Sequence, residues 1–516
     1  MRIKNSLRNM IYIYGSTALI VILNFVVRRI FLDVLVVDYL GYDGLFTSIF
    51  SFLNLSEMGI ASIITYHMYR EIASDNREKI RKLLYTYKLI YRIVGTFVFV
   101  AGILVSFFLP IILNDRQKES WLFIYTIYFL QLMATLCTYF LAYRRILFIT
   151  HQRIYVCTVV DTATNIVSVI LRMLVLLLLR NYIVYLIIAI IANVTSNLII
   201  AVRAKKEYPD LIEEKASAAF MKELNLFHEV KNMMATKIAG TLYGASDDII
   251  ITYFLGIETN GLVSNYKMLT GKLQELILSL FHSLQASIGN LVYDNDKEKG
   301  RDFFYALDLL GFFFGIVCAT GLISIGQPFI IVWLKKESLL LPFAFLIALG
   351  INVFIALCNN PMTYFRNTMG HFEQDRNYMI AAAVVNIVLS IVLSFPLGVT
   401  GVVIATVLGH LLIFAGRTVV VFRHIIERSE FGYYALFALR LVLLAISCAL
   451  SLYLGSLAGT YISGLVLSVI VKGIISVVVS VTIFVISSVK TRSFKVILNY
   501  MKKVINLMGR KVPADE

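Results

Sequence analysis

The sequence predicts an all-α integral membrane protein. About fourteen transmembrane helices are expected, in two six-helix bundles related by a pseudo-twofold axis along the membrane normal, plus two C-terminal helices. Three observations predict this. The 516 residues are 59% hydrophobic with a mean hydropathy of +0.81, which is outside the range of ordinary soluble domains. Apolar runs long enough to cross a hydrocarbon core of about 30 Å recur from one end to the other. The pattern of the first half also returns in the second, about 220 residues later.

In the repeat, Asp75-Asn76-Arg77-Glu78-Lys79-Ile80-Arg81 leads into an apolar run carrying Tyr85. Asp294-Asn295-Asp296-Lys297-Glu298-Lys299-Gly300-Arg301 leads into another carrying Tyr305. Leu40-Gly41-Tyr42-Asp43-Gly44-Leu45 precedes the first copy, and Leu255-Gly256 with Gly261-Leu262 precedes the second. Pro110 closes the first apolar run and Pro328 the second. In a membrane protein, such a duplication builds a transport path between the halves.

The apolar runs are 10–35, 44–67, 84–113, 120–143, 154–179 and 182–202, then 232–255, 262–290, 303–333, 339–365, 377–397 and 400–422, and finally 435–455 and 461–489. The first starts too early and runs too long for a cleaved signal peptide. The expected organisation is a bundle at 1–203, a cytoplasmic linker helix lying on the membrane surface at 204–231, and a second bundle at 232–425. Helices thirteen and fourteen follow at 426–489, then a basic amphipathic tail at 490–516. In the tail, Phe494, Ile497, Met501, Val504, Ile505 and Met508 recur at helical spacing, interleaved with Lys495, Lys502, Lys503 and Arg510.

Charge orients the chain. One set of alternate connections holds Arg70, Arg77, Lys79, Arg81, Lys82, Arg144, Arg145, Arg153, Arg203, Lys205, Lys206, Lys297, Lys299 and Arg301. The tail adds Lys490, Arg492, Lys495, Lys502 and Lys503. The opposite side has Arg116, Lys118, Arg180, Lys335 and Lys336. This asymmetry places both termini in the cytoplasm. The net charge of +15 is then mostly topological and implies anionic lipid nearby, not nucleic acid.

Several chemistries are set aside. No phosphate-binding G-x-x-x-x-G-K-[ST] occurs, so ATP hydrolysis is not expected. The seven His form no H-x-x-x-H pair, and the five Cys, all in apolar runs, form no C-x-x-C. Neither a metal nor any other cofactor is expected. Asp294-Asn295-Asp296 reads as a turn, because its repeat partner lacks the second Asp. The outer loops are too short for a catalytic domain, so the chain is not expected to be an enzyme.

Ionisable residues inside the bilayer remain, and each is a functional candidate. In the fifth run, Thr158, Asp161, Asn165, Ser168 and Arg172 form one polar stripe about 20 Å long. It is either a wet cavity wall or glue between helices. The corresponding eleventh run keeps Asn386 and Ser390. Arg29 and Asp33 can pair at i, i+4, and Arg28 needs another partner. Asn54 and Glu57 lie in the second run, where a buried carboxylate suits ion coupling. Thr241, Gly244, Asp248 and Thr252 share a face of the seventh. Lys267, Lys272 and Glu275 lie in the eighth, with Lys272 and Glu275 as i, i+3 neighbours. Arg81, Tyr85, Lys88 and Arg92 share a face of the third, as a basic entrance or a headgroup-facing edge. His410 reads as a packed histidine, and Lys472 takes no assignment. The substrate-binding set is Arg28, Arg29, Asn54, Asn165, Arg172, Asp248, Lys267 and Lys272. Glu57, Asp161 and Glu275 are the candidates for ion coupling.

The run from Arg29 through Leu40-Gly41-Tyr42-Asp43-Gly44-Leu45 to Leu55-Ser56-Glu57-Met58-Gly59-Ile60 resembles the opening of Wzx-type polysaccharide flippases. So does Asp248 through Leu255-Gly256 and Gly261-Leu262 to Tyr266-Lys267. These flippases belong to the multidrug/oligosaccharidyl-lipid/polysaccharide exporter superfamily. The resemblance implies flipping of an undecaprenyl-pyrophosphate-linked oligosaccharide from the inner to the outer leaflet of a bacterial cytoplasmic membrane, for capsule, exopolysaccharide or O-antigen assembly. It also implies polymerase and glycosyltransferase partners. The alternatives are a cation-coupled multidrug exporter and a lipid II or teichoic acid flippase.

Overall fold

The structure is a computed structural model of the whole chain. It describes all residues except 1, 55–59, 115–116, 212, 218–219, 221–225, 294–296, 370–371, 463 and 500–516. Among the described residues there is no strand. Glu57, the Asp294-Asn295-Asp296 turn and most of the tail lie outside the described residues.

The chain divides into two compact units, residues 1–265 and 266–516. Unit 1 holds α1 (Arg2–Val34), α2 (Asp38–Leu53), α3 (Ile60–Ala73), α4 (Arg77–Ser106), α5 (Leu109–Leu113), α6 (Trp121–Leu141), α7 (Arg145–Thr150), α8 (Tyr155–Leu178), α9 (Tyr182–Glu207), α10 (Leu226–Leu255) and the first turns of α11 (Ile257–Tyr293). Unit 2 holds the rest of α11, then α12 (Lys297–Leu334), α13 (Phe343–Met369), α14 (Phe372–Leu397), α15 (Val399–Val421), α16 (Phe431–Tyr461) and α17 (Leu465–Ser488). Most described residues of the apolar runs are helical, with breaks such as Phe107–Phe108 and Leu340–Pro342. Ten helical stretches among the described residues are long and apolar enough to cross a membrane, the α6–α7 stretch counting as one.

Local chemistry sets the helix ends. Asn76, Ser120 and Asn181 each accept a hydrogen bond from the backbone N–H three residues on, at 3.2, 3.3 and 3.1 Å, capping α4, α6 and α9. Pro110 sits in the first turn of α5, where its missing N–H leaves no bond unmade. Pro328 does not close its helix as expected. It lies inside α12, which continues to Leu334, because a spanning helix can satisfy a freed carbonyl through its neighbours.

The expected boundary segment 204–231 falls inside unit 1, because α10 packs on α2. Ser48 Oγ donates to Asp248 Oδ2 at 2.6 Å across that contact. The two copies of the repeated glycine motif also meet here. A Cβ on Gly41 would lie 2.1 Å from the Ile257 carbonyl oxygen, and one on Gly261 would lie 2.3 Å from that of Val37. The glycines are needed for this crossing of α2 and α11, which Asn260 closes by donating to the Gly41 carbonyl at 3.2 Å.

Within the linker, 204–207 close α9 and 226–231 open α10, but the described residues of 208–217, all but 212, are not helical. Pro209 ends α9, since a residue preceding proline avoids the helical region. Four carboxylates instead strap the segment onto the basic end of unit 1. Glu207 pairs with Arg153 at 2.6 Å and Arg203 at 2.7 Å, Asp210 with Arg77 at 3.0 Å, and Glu214 with Arg81 at 3.2 Å. Glu213 takes bonds from Tyr143 and Arg144. Burial alone would raise its carboxyl, but those bonds hold it below the usual carboxylate value.

In unit 2, α14 packs on α15, α15 on α13, and α13 on α12, while α16 and α17 both pack on α12. The core is aromatic, with Phe304, Phe312, Phe354, Phe365 and Phe422 all nearly inaccessible. Two buried ionic clusters fix it. Asp308 of α12 accepts both Arg440 nitrogens at 2.9 and 2.6 Å and the Tyr433 hydroxyl at 2.6 Å. Asp375 of α14 pairs with Arg366 at 3.1 Å and Arg417 at 3.2 Å. Thr320 bonds Ser447 and Ser324 bonds Ser451, both at 2.9 Å. Arg492, just after α17, reaches Asp302 at 2.6 Å and Glu298 at 2.8 Å.

Candidate functional site: a charged cavity in unit 1

The stripe on α8 lies on a cavity wall. Asp161, Asn165, Ser168 and Arg172 recur every three or four residues and so share one side of a helix. All four line a polar cavity of about 310 Å³, with Arg145 of α7 and Asn193 and Ser196 of α9. Thr158, at the end of the stripe, instead turns its hydroxyl to the Ile154 carbonyl. A second polar cavity of about 320 Å³ adjoins the first and shares Ala189 and Asn193 with it. Its walls include Asp43, Thr47 and Ser51 of α2, then Asn54, and Gln131 and Thr135 of α6. Only 22% of the apolar window of α8 and of α9 is buried. Each helix therefore has accessible surface both toward the cavity and on its apolar side.

Charge is arranged in pairs. The Arg145 guanidinium forks onto Asp161, with two bonds of 2.7 Å. It also donates to Asn197 at 2.8 Å and Ser196 at 3.3 Å. Arg172 lies 5.1 Å from the centroid of the Tyr185 ring and donates to its hydroxyl at 3.3 Å. Gln131 donates to Asp43 at 3.0 Å, and Tyr139 to Asn54 at 2.8 Å. Arg28 donates to Ser264 at 3.0 Å, and its charge, with that of Arg172, faces Asp43. Three guanidinium groups thus oppose two carboxylates among amides and hydroxyls.

The remaining candidates are dispersed. Arg29 pairs with Asp33 at 3.9 Å, and both side chains are more than a third exposed. Asp248 is buried against Ser48 and does not line either cavity. Lys267, Lys272 and Glu275 belong to unit 2, where Lys272 pairs with Glu275 at 2.7 Å. In unit 2, Asn386 donates to Thr406 at 3.2 Å and His410 packs against Asn352 at 2.5 Å, both polar contacts within the bundle. The stem of Lys472 lies along Gly455 and Gly459 of α16. Among the described residues no cluster of His, Cys, Asp and Glu is placed to hold a metal ion.

Sequence reasoning missed Asp43, Gln131, Arg145 and Asn193. Asp43 falls one residue before the second apolar run, and Arg145 reads as a loop cation. The buried Asp308 and Arg440 were also passed over, although a charge within an apolar run is itself a signal.

The sequence model of one family, described as polysaccharide biosynthesis protein, matches residues 6–284. No curated protein sequence matches the chain. Three solved structures are similar in fold. The lipid II flippase MurJ in an inward closed conformation has a TM-score of 0.65 at 14% identity, covering 93% of this chain and 100% of that one. An inward-facing multidrug resistance MATE family transporter of the MOP superfamily has a TM-score of 0.58 at 12% identity, covering 76% and 91%. A point mutant of the Vibrio cholerae MATE transporter VcmN has a TM-score of 0.57 at 11% identity, covering 83% and 98%. The fold is that of these transporters.

Proposed function

We propose, from the premise that this chain belongs to the polysaccharide biosynthesis protein family, that it flips undecaprenyl-pyrophosphate-linked oligosaccharide units from the inner to the outer leaflet of a bacterial cytoplasmic membrane. The units feed capsule, exopolysaccharide or O-antigen assembly, with a polymerase and glycosyltransferases as pathway partners. The observation that carries this reading is the unit 1 cavity, where Arg145 and Arg172 match Asp43 and Asp161 on walls of amide and hydroxyl, with the Arg28 charge also facing Asp43. A diphosphate crossing hydrocarbon needs guanidinium partners, which Arg28, Arg145 and Arg172 supply. Sugars need hydrogen-bonding walls, which Asn54, Gln131, Thr135, Asn165 and Asn193 supply. A drug exporter for organic cations would want free carboxylates, yet Asp161 is clamped by Arg145 and Asp43 is held by Gln131.

Transport follows by alternating access between bundles 1–203 and 232–425, with helices thirteen and fourteen as an appended pair and both termini cytoplasmic. Glu57, Asp161 and Glu275 are the candidate groups for ion coupling, while Arg29, Asp248, Lys267 and Lys272, none of which lines the unit 1 cavity, are candidates for substrate contacts elsewhere. The test is to replace Arg28 and Arg172 by Gln, singly and together, in a polymer-producing strain. Surface polymer should fall and lipid-linked units accumulate inside, at unchanged protein level. Undiminished polymer in the double variant would end the cationic-path reading. Lost drug resistance with intact polymer would favour an exporter.

A further inference from the structure

The strap at 208–217 covers something better suited to another ligand. Tyr143 hydroxyl, Arg144 Nε at 3.1 Å, Arg144 Nη2 at 2.9 Å and Lys88 Nζ at 3.8 Å all converge on one atom, Oε1 of Glu213. Both cations also flank the Tyr143 ring, Lys88 at 5.3 Å and Arg144 at 5.5 Å from its centroid. The Glu213 side chain is 9% exposed, whereas Arg144 and Lys88 keep about a quarter of their surface. Two full cations and a hydroxyl thus address a single oxygen of a monoanion. The charge is over-matched to a carboxylate and matched to a dianion.

The surroundings extend the mismatch. Arg81, Lys88 and Arg92 step along α4 from its basic end into the apolar run, at about 1.5 Å per residue. The acidic residues of the strap reach only part of that row. Glu214 pairs with Arg81 and Glu213 with Lys88, while Arg92 lies one turn further on and exposed.

We propose that Tyr143, Arg144 and Lys88 form a binding site for the diphosphate of a lipid-linked headgroup, and that the Glu213 carboxylate occupies it as a tethered stand-in. The incoming diphosphate displaces Glu213, takes its three donors and releases the strap. Arg92 is then the next cation on its path along α4. The site rests on the lipid-diphosphate reading and adds to it a station at the basic end of unit 1, apart from the cavity.

The test uses the full chain in detergent, with geranyl diphosphate, geranyl monophosphate and inorganic pyrophosphate as probes. Glu213→Gln keeps an acceptor and removes the competing charge. It should bind geranyl diphosphate about tenfold more tightly than the unchanged protein, and adding Arg144→Ala should cancel the gain. A gain confined to geranyl diphosphate identifies a lipid-borne headgroup, and an equal gain for inorganic pyrophosphate identifies the free dianion. In the unchanged protein, geranyl diphosphate should speed hydrogen exchange of backbone amides at 208–217. Monophosphate should do so less. The proposal is overturned if Glu213→Gln leaves affinity unchanged, if the gain survives Arg144→Ala, or if the ligand slows exchange in the strap. In these cases diphosphate binding itself persists and the transport reading stands. Absence of diphosphate binding to every form overturns both.

Discussion

Removing one member of the Asp308–Arg440 pair should cost far more than removing both. The pair is nearly inaccessible, with side-chain exposures of 1% and 6%. Asp308 receives three bonds: two from Arg440 at 2.9 and 2.6 Å, and one from Tyr433 at 2.6 Å. Each bond to a charged group contributes about 1.5–3 kcal/mol. Asp308→Ala deletes all three and leaves a buried guanidinium with little besides the Phe312 ring, 4.9 Å away. Guanidinium cannot shed its proton in a protein. The stranded charge sets the loss at about 3–5 kcal/mol. Pairing Asp308→Ala with Arg440→Met removes that charge and fills its volume, so most of the loss should return. Thermal unfolding of the purified protein in detergent, followed by tryptophan fluorescence, reads the difference. A double variant as unstable as Asp308→Ala alone would refute the stranded-charge argument and leave shape as the cause.

Gly41→Ala and Gly261→Ala should each destabilise unit 1 by about 1–3 kcal/mol or more, since the new methyl meets a backbone carbonyl. Gly271→Ala, with open space around it, is the tolerated control in the same unfolding assay. The Glu213 carboxyl is held below its ordinary value. Burial opposes this, and hydrogen bonds from Tyr143 and Arg144 outweigh it. The stabilisation it gives the strap is therefore complete above the unfolded-chain value of about 4.3 and disappears as pH falls through the lower folded value. Exchange at 208–217, corrected for intrinsic rate, should be flat from pH 8 to 5 and rise only below about 4. Release already at pH 6 would contradict it. Reporter fusions after residues 116, 258, 336 and 457 should report outside and those after 76, 296 and 511 inside. A reversed pattern would sink the orientation.

What could be read in advance was what repeats locally. The α8 stripe was legible because its residues sit one turn apart, so a helix alone brings them together. The glycine motifs were legible as a duplication, but their reason was not, because Gly41 meets Ile257 across more than two hundred residues. Arg145 was misread for a similar cause. Its partner Asp161 lies sixteen residues on, past a turn at His151–Gln152 in which Gln152 takes a left-handed conformation, φ 58°. No periodicity predicts that return. The linker was misread although Pro209 was in view, because its mixed charge suggested a surface helix. Its carboxylates instead found cations on α4 and on the short turn Ala142–Arg144, pairings set by tertiary structure. Asp308 and Arg440 are 132 positions apart, beyond any local pattern.

The hydroxyl contacts between α12 and α16 are spaced four residues apart on both helices, Thr320 with Ser447 and Ser324 with Ser451. Such a ladder is degenerate. Sliding α16 by one turn, about 6 Å, would pair Ser324 with Ser447 and still leave a hydroxyl bond. The same slide would carry Arg440 away from Asp308 by that distance and strand both charges in the core. The ladder tolerates two alignments, but the ion pair accepts one. Its role is then less to strengthen the contact than to specify it, selecting a single register for the appended helix pair as a buried polar residue does in a coiled coil.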